Sequence, residues 1–437
     1  MSAIERAQFV AIPQPRPLAR AHVLILVFAT LPLWWLAGLF SFVWPIVAFF
    51  LLLALIRQGD VLFPRGFGLW FLLVAWAPLS ALQLTGDNAP FLFAQRLAVL
   101  AAATVVFLYI FNSSRETLPD RTIVDVLTLF WAMLVVGGFI GMLFPTVSFK
   151  SPFELLLPGS LAANPFVQDL VHVNFAQVQT FLGYPVGRPS PFFRFTNAWG
   201  SGIALLTPIA VAGIAQARSP LLRRLLVSLL VLSVIPIVVS LNRGVWLALT
   251  VALAYAAVRF ALARRLHAVA ALLGLACVVL VLLFLTPLGG LISQRLAHPH
   301  SNEARSALYH ESIDRTKQSP LIGYGGPLPA EETTVNAPVG THSEVFYLSI
   351  SYGIPALVFF MAWFALTFLR AGRRASGPRF WAHVAMLVFL IEAPYYLLEM
   401  HVAVAMIIAA FIWRDVARPE PATEPAVNRP HARPATA

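Results

Sequence analysis

The sequence predicts an all-α, polytopic integral membrane protein with about twelve transmembrane helices. The first observation behind this is composition: of 437 residues, 59% are hydrophobic and only 11% charged, with a mean hydropathy of +0.79. A water-soluble domain of this size could not keep that surface in solution. The second is length, because apolar stretches recur near the roughly 20 residues needed to cross about 30 Å of hydrocarbon. The third is that the basic residues collect in alternate connections, as loop charges do in membrane proteins. A net charge of +11 would suggest nucleic acid in a soluble chain. Here the basic residues stand in short clusters between apolar runs and read as orientation signals.

In chain order the candidate spans are 21–37, 39–56, 67–84, 90–111, 122–145, 198–217, 222–240, 243–260, 267–287, 342–369, 379–397 and 399–414. Tight turns separate the spans at 37–39, 240–243 and 397–399. No small-residue cleavage pattern follows the first run, so it is expected to remain as a helix rather than leave as a signal peptide. The single cysteine, Cys277, lies inside the run Leu272 to Leu285, which leaves no intramolecular disulfide and no cysteine-based metal site.

With the N terminus cytoplasmic, 21 of the 30 basic residues fall in inside segments. Eight fall outside: Lys150, Arg188, Arg194, Arg243, Arg295, Arg305, Arg315 and Lys317; Arg96 lies within a span. This alternation puts both termini in the cytoplasm. Residues 1–418 read as one transmembrane domain, and residues 419–437, rich in Pro, Ala, Glu and Arg, as a disordered cytoplasmic tail.

Two outside segments, 146–197 and 288–341, are too long to be plain connectors. The first is rich in Pro, Phe, Asn and Gln, the composition of an ordered loop lying on the membrane. The second contains an amphipathic stretch, Asn302 to Gln318, stopped by Ser319-Pro320 and the turn-forming Gly323-Tyr324-Gly325-Gly326. No internal repeat and no matching pair of interrupted helices, the mark of many transporters, is present.

The outside basic residues are the chemically informative ones, since orientation rules disfavour them. Arg243 stands at the hairpin between the seventh and eighth runs, against the outer hydrocarbon boundary. There it is either a functional charge or a snorkelling side chain. Arg194, ahead of Asn197 and Gly200, precedes a span. An arginine fork and helix-start amides there suit a phosphate, and the alternative is again snorkelling. Arg96 sits about two turns into its run, as a site charge or an internally hydrogen-bonded arginine. His342 opens the tenth run as a structural histidine or an acid/base group at the membrane surface. His172, His298, His300 and His310 share no metal-ligand spacing on one face, so no metal site is expected. There is no P-loop, no Gly-x-Ser-x-Gly and no carboxylate pair placed for acid/base work.

Four stretches, in this order, resemble the O-antigen ligase family. They are Arg194 with Asn197 and Gly200/Gly202; Ser240-Leu241-Asn242-Arg243-Gly244-Val245-Trp246; Arg305 followed by Pro320-Leu321-Ile322-Gly323-Tyr324-Gly325; and His342-Ser343 with Gly353 after nine intervening residues. The resemblance covers residues 188–360 and implies a GT-C-like fold in the bacterial cytoplasmic membrane. It implies transfer of a glycan from a polyprenyl-diphosphate donor, such as undecaprenyl diphosphate, to an acceptor hydroxyl on the outer side. That transfer would need neither metal nor cofactor and would invert the anomeric centre. It implies catalytic roles for His342, Arg243 and Arg194 and substrate-binding roles for Arg305, Arg96, Ser343 and Asn197. Arg194, Arg243 and Arg305 would converge on the donor diphosphate, balanced by an anion or by carboxylates such as Glu303 or Glu344. The expected partners are the lipid-linked donor, a glycan or glycolipid acceptor and the bilayer, with no nucleic acid. A polymerase using the same donor is the alternative within this family, and a lipid-linked glycan transporter the alternative outside it.

Overall fold

The computed structural model of the protein describes residues 20–84, 89–180, 182–297, 300–329, 338–372 and 376–417. The tail 419–437 and the pair His298-Pro299 lie outside these residues. The first helices are α1 (Arg20–Ala29), α2 (Leu31–Leu36), α3 (Val43–Gln58), α4 (Gly68–Trp76), α5 (Ala89–Asn112) and α6 (Asp120–Leu143). Three short helices follow, α7 (Pro152–Leu156), α8 (Gly159–Ala162) and α9 (Pro165–Val171). Then come α10 (Thr196–Ala215), α11 (Pro220–Leu232), α12 (Val234–Val239), α13 (Arg243–Leu262) and α14 (Leu266–Leu285). The last are α15 (Leu288–Ala297), α16 (His300–Gln318), α17 (Glu344–Gly372), α18 (Gly377–Glu392) and α19 (Val402–Ala417).

Among the described residues, eight helical stretches are long and apolar enough to cross a membrane, carried by α3, α5, α6, α10, α11 with α12, α13, α14 and α17. These eight coincide with eight of the twelve expected spans. All twelve runs are helical, but four fall short. The first run breaks between α1 and α2 ahead of Pro32, and the third passes from α4 into a 3-10 segment, Ala77–Gln83, at Pro78. Proline removes an amide donor and crowds the preceding turn. α18 and α19 have 16 residues each, about 24 Å of helix at 1.5 Å per residue.

The prediction of an all-α chain also needs amendment in the segment 146–197, which folds into α7 to α9 and four short strands. Strand β1 (Ser148–Phe149) pairs antiparallel with β2 (Val173–Asn174), and β3 (Ala176–Gln179) with β4 (Val186–Pro189). Local caps build it: Ser151 Oγ accepts from Glu154 N at 3.0 Å and Asn164 Oδ1 from Phe166 N at 3.0 Å. It is anchored over the α2–α3 turn, where Ser41 Oγ donates to Leu170 O at 3.2 Å and Phe153 N to Ala37 O at 3.1 Å.

Helix ends sort into two groups. At one end Asp120, opening α6, meets Arg115 at 3.2 Å, Arg379 at 2.6 Å and Arg414 at 3.0 Å. At the same end Arg121 donates to Gln216 O, just past α10, at 2.5 Å. Every basic residue in this cluster belongs to a segment whose charge pattern reads as inside. The starts of α10, α13 and α17 and the end of α18 therefore lie at the other end, since Arg259 near the end of α13 donates to Gly372 O at the end of α17, at 2.6 Å. Between the two ends the core is apolar and aromatic: Trp363 stacks on Trp413 at 5.4 Å, with Phe67 and Phe107 edge-on to Trp363. α14 is peripheral, with Leu272 its one buried residue, as suits a helix facing lipid.

α17 is broken at Gly353, whose φ of 83° and ψ of 170° are not helical. The break frees backbone groups, and the stretch 320–325 supplies their partners. Tyr324 N donates to Ile350 O, Gly325 N to Ser351 O, and Ile354 N to Pro320 O, each at 2.8 Å. A side chain at Gly353 would adopt a disfavoured left-handed φ and overlap Leu321 O. Gly353→Ala is expected to destabilise the protein by about 2 kcal/mol or more. Thermal unfolding in detergent reads this, and an unchanged midpoint would contradict it.

Candidate active site

Three helix starts meet at the end opposite Asp120, each bearing residues singled out in the sequence. Ahead of α10, Arg188 is buried and ties the first long loop to the turn between α12 and α13. Its Nε donates to Ser240 O at 2.5 Å, Nη2 to Asn197 Oδ1 at 3.3 Å, and Nη1 to Gln179 Oε1. Its carbonyl accepts from Thr196 Oγ1 at 3.1 Å. Asn197, expected to bind substrate, accepts one of these bonds.

α10 and α13 then touch directly. Asn242 Nδ2 donates to Thr196 O at 3.5 Å, and a Cβ at Gly200 would overlap that same amide. Two non-glycine residues with positive φ flank this contact, Phe192 at 74° and Leu241 at 53°. Such backbone is sparsely populated and persists only where the surroundings dictate it, often at functional sites. Leu241 aims the turn that ends in Arg243, the partly buried first residue of α13. Phe192 does the same for Arg194.

Arg194 is exposed and pairs through Nε with Asp169 Oδ1 on α9 at 2.8 Å. The expected carboxylates do not fill this role. Glu344 is committed to Leu398 N at 2.7 Å, and the side chain of Glu303 lies outside the described residues. Burial holds the Asp169 carboxyl above its ordinary range, opposed by the Arg194 charge.

His342 lies just before α17, partly buried, with Nδ1 3.3 Å from Thr341 Oγ1. Ser343, expected to bind substrate, is fully buried. Its Oγ donates to Ala393 O at 3.2 Å and accepts from Phe346 N at 3.4 Å, the geometry of a helix cap. Glu344 N points at both Ala393 O and Tyr396 O, each at 2.9 Å. The connection between α18 and α19 thus holds the His342 turn. Through Tyr396 it also holds α13, because the Tyr396 hydroxyl accepts from Gly244 N at 2.8 Å.

Arg96 sits apart, on α5 behind the first turns of α17. Its guanidinium lies 5.1 Å from the Tyr347 ring centroid, and with Glu344, Tyr347, Tyr352 and Glu399 it lines a cavity with room for about one water molecule. Arg96 Nη1, the Tyr347 and Tyr352 hydroxyls and Glu399 Oε1 have no hydrogen-bond partner among the described residues. Arg305 is on α16, one turn before Tyr309, whose hydroxyl donates to Pro394 O at 3.4 Å and whose ring packs 4.9 Å from Phe346. The Arg305 side chain lies outside the described residues.

Sequence reading missed Asp169, Tyr396 and the clamp role of Arg188. Asp169 had a signal, being with Glu154 one of two acidic residues in the segment 146–197, and Glu154 is taken by His172 at 2.9 Å. Tyr396, in an apolar run, had none.

Residues 228–361 match the family described as O-antigen ligase. A comparison with curated proteins gives no match. The matched stretch contains the α13 start, the 320–325 loop, His342 and the Gly353 break. The resemblance read from the sequence is borne out over that stretch, in a chain with several helices long and apolar enough to cross a membrane. That match supports a membrane glycan-transfer function of the ligase and polymerase kind.

Asp169, paired with Arg194, would compete with any anion that Arg194 binds. Asp169→Asn should raise the affinity for inorganic pyrophosphate severalfold. In the unsubstituted protein the same affinity should rise as pH falls into and just above the ordinary carboxylate range, where Asp169 takes up a proton and releases Arg194. Calorimetric titration across pH checks both effects. Equal affinities at every pH would show that Arg194 does not contact the anion.

Proposed function

We propose that the protein transfers a glycan from a polyprenyl-diphosphate donor to an acceptor hydroxyl at the outer face of the cytoplasmic membrane, as an O-antigen ligase. The observation that supports this most is the joining of the α13 and α17 starts by the 393–398 connection, which puts the segments of Arg243 and His342 on one scaffold. The chemistry needs a fixed cation beside the leaving group and a proton acceptor beside the nucleophile. Arg243 brings a permanent charge to the first turn of α13, whose dipole also favours an anion. Arg194, released from Asp169, adds a second cation, and Arg305 on α16 a third.

The acceptor oxygen forms a bond to the anomeric carbon while the bond from that carbon to the diphosphate oxygen breaks. The electron pair leaves with the diphosphate, whose growing charge the arginines stabilise. His342 takes the hydroxyl proton. Direct displacement of this kind inverts the anomeric centre and requires neither metal nor cofactor. Both termini lie in the cytoplasm, the segments 146–197 and 288–341 lie outside, and the donor's lipid tail lies among the helices. A second lipid-linked glycan as acceptor would make the same site a polymerase.

His342→Ala should insert and fold normally, keep donor binding and lose transfer by about 10² to 10⁴-fold, the usual worth of a general base. His342→Gln, polar but without a basic nitrogen, should do no better. Purified protein with lipid-linked donor and acceptor measures this, and near-normal transfer by either variant would remove His342 from the chemistry.

The topology has its own test in a Cys277→Ser background. Cysteine introduced by Glu331→Cys should react with an impermeant maleimide in intact cells and that from Arg373→Cys should not. The reverse pattern would place the arginine site on the cytoplasmic side and end the proposal.

A further inference from the structure

The start of α13 is capped in an unusual way. A helix leaves its first amides without intrahelical partners, and a polar residue at the cap position ordinarily accepts from one of them. Asn242 holds that position, yet its side chain makes no cap bond and turns instead to Thr196 O on α10. The Gly244 amide is left for another acceptor. The Tyr396 hydroxyl takes it at 2.8 Å, across 152 residues of sequence, with both groups buried. The backbone of Tyr396 is committed as well: its carbonyl accepts from Glu344 N at 2.9 Å, and its own amide donates to Glu392 O at 3.0 Å at the end of α18.

The geometry points to Tyr396 as a positioning residue that sets the place of Arg243 relative to His342. One residue thus caps the helix that Arg243 opens and, through its carbonyl, holds the turn two residues after His342. This inference rests on the glycan-transfer reading and refines it, because Tyr396 is assigned no contact with donor or acceptor. Its hydroxyl is occupied by Gly244 and its side chain is buried, 3% exposed. Its effect passes through Arg243, so removing the hydroxyl should shift the arginine by a fraction of an ångström while leaving the ring in place. Displacements on the scale of 1 Å can cost about 100-fold in rate without abolishing binding.

Tyr396→Phe keeps the ring and removes the hydroxyl that accepts from Gly244 N. It should lower kcat by about 10- to 100-fold with little change in KM for the donor. Gly244→Ala approaches the same contact from the other side, since its methyl would lie 2.5 Å from the Tyr396 ring, and should show the same split. The decisive measurement is a double-mutant cycle with Arg243→Ala. If Tyr396 acts through Arg243, adding Tyr396→Phe to Arg243→Ala costs little further rate, whereas a purely structural tyrosine would lower the rate by the same factor in both backgrounds. A wild-type kcat in Tyr396→Phe or in Gly244→Ala, or multiplicative effects in the cycle, would overturn the inference. Full activity of Arg243→Ala alone would also overturn it, whereas absence of transfer by the unsubstituted protein would refute the glycan-transfer reading, so the two failures are distinguishable.

Discussion

The first amides of α17 have no partner in their own helix, and at a membrane boundary water cannot be relied on to supply one. The connection between α18 and α19 supplies them instead. Ala393 O and Tyr396 O face the Glu344 amide, Ala393 O also accepts from Ser343, and the Glu344 carboxylate accepts from Leu398 N. Because Tyr396 also caps α13, one stretch of backbone fixes two helix starts. The α10 start joins through Asn242 and Arg188. The site is thus held by hydrogen bonds between elements distant in sequence, and its cationic residues sit at the rim of that frame.

The same logic explains the spacing between the two glycine-containing stretches of the second outside segment and its following helix. A break in a membrane helix is tolerated only where other groups satisfy the freed backbone. The Gly353 break exposes the carbonyls of Ile350 and Ser351, and the Tyr324 and Gly325 amides reach them. Trp76 Nε1 donates to Leu321 O at 2.9 Å and Ser319 Oγ to Gln83 Oε1 at 2.9 Å, so the inserted loop is also tied to the α4 hairpin. The nine residues between Ser343 and Gly353 measure the distance from the His342 turn to this insertion. That spacing is a structural requirement, separate from the chemistry of His342.

Much of this was readable from residue order alone. The apolar runs locate all twelve helical stretches, and the alternation of arginines anticipates the gathering of Arg115, Arg379 and Arg414 about Asp120. Hydropathy could not measure helix length, because Pro32 and Pro78 interrupt runs that are apolar throughout. Nor could composition reveal the short strands of 146–197, of which β1 and β2 pair across about 25 residues and β3 and β4 form a hairpin with strands of only four residues each. For the site, charge at an unfavourable boundary located Arg194 and Arg243. It gave no indication that Ser343 is a buried cap, that Arg188 is a clamp, or that Arg96 faces a small cavity behind α17. Each of those depends on which neighbour a side chain meets, and periodicity carries no such information.

The central claim is that the joined starts of α10, α13 and α17 receive the diphosphate of a lipid-linked donor. A cryo-electron microscopy structure with a bound polyprenyl-diphosphate glycan in a lipid nanodisc tests it most directly. The account predicts phosphate oxygens within hydrogen-bond distance of Arg243 at the start of α13, with the sugar's anomeric carbon on the side of His342. Density for the diphosphate at the Asp120 end of the bundle, or on the lipid face of α14, would contradict it.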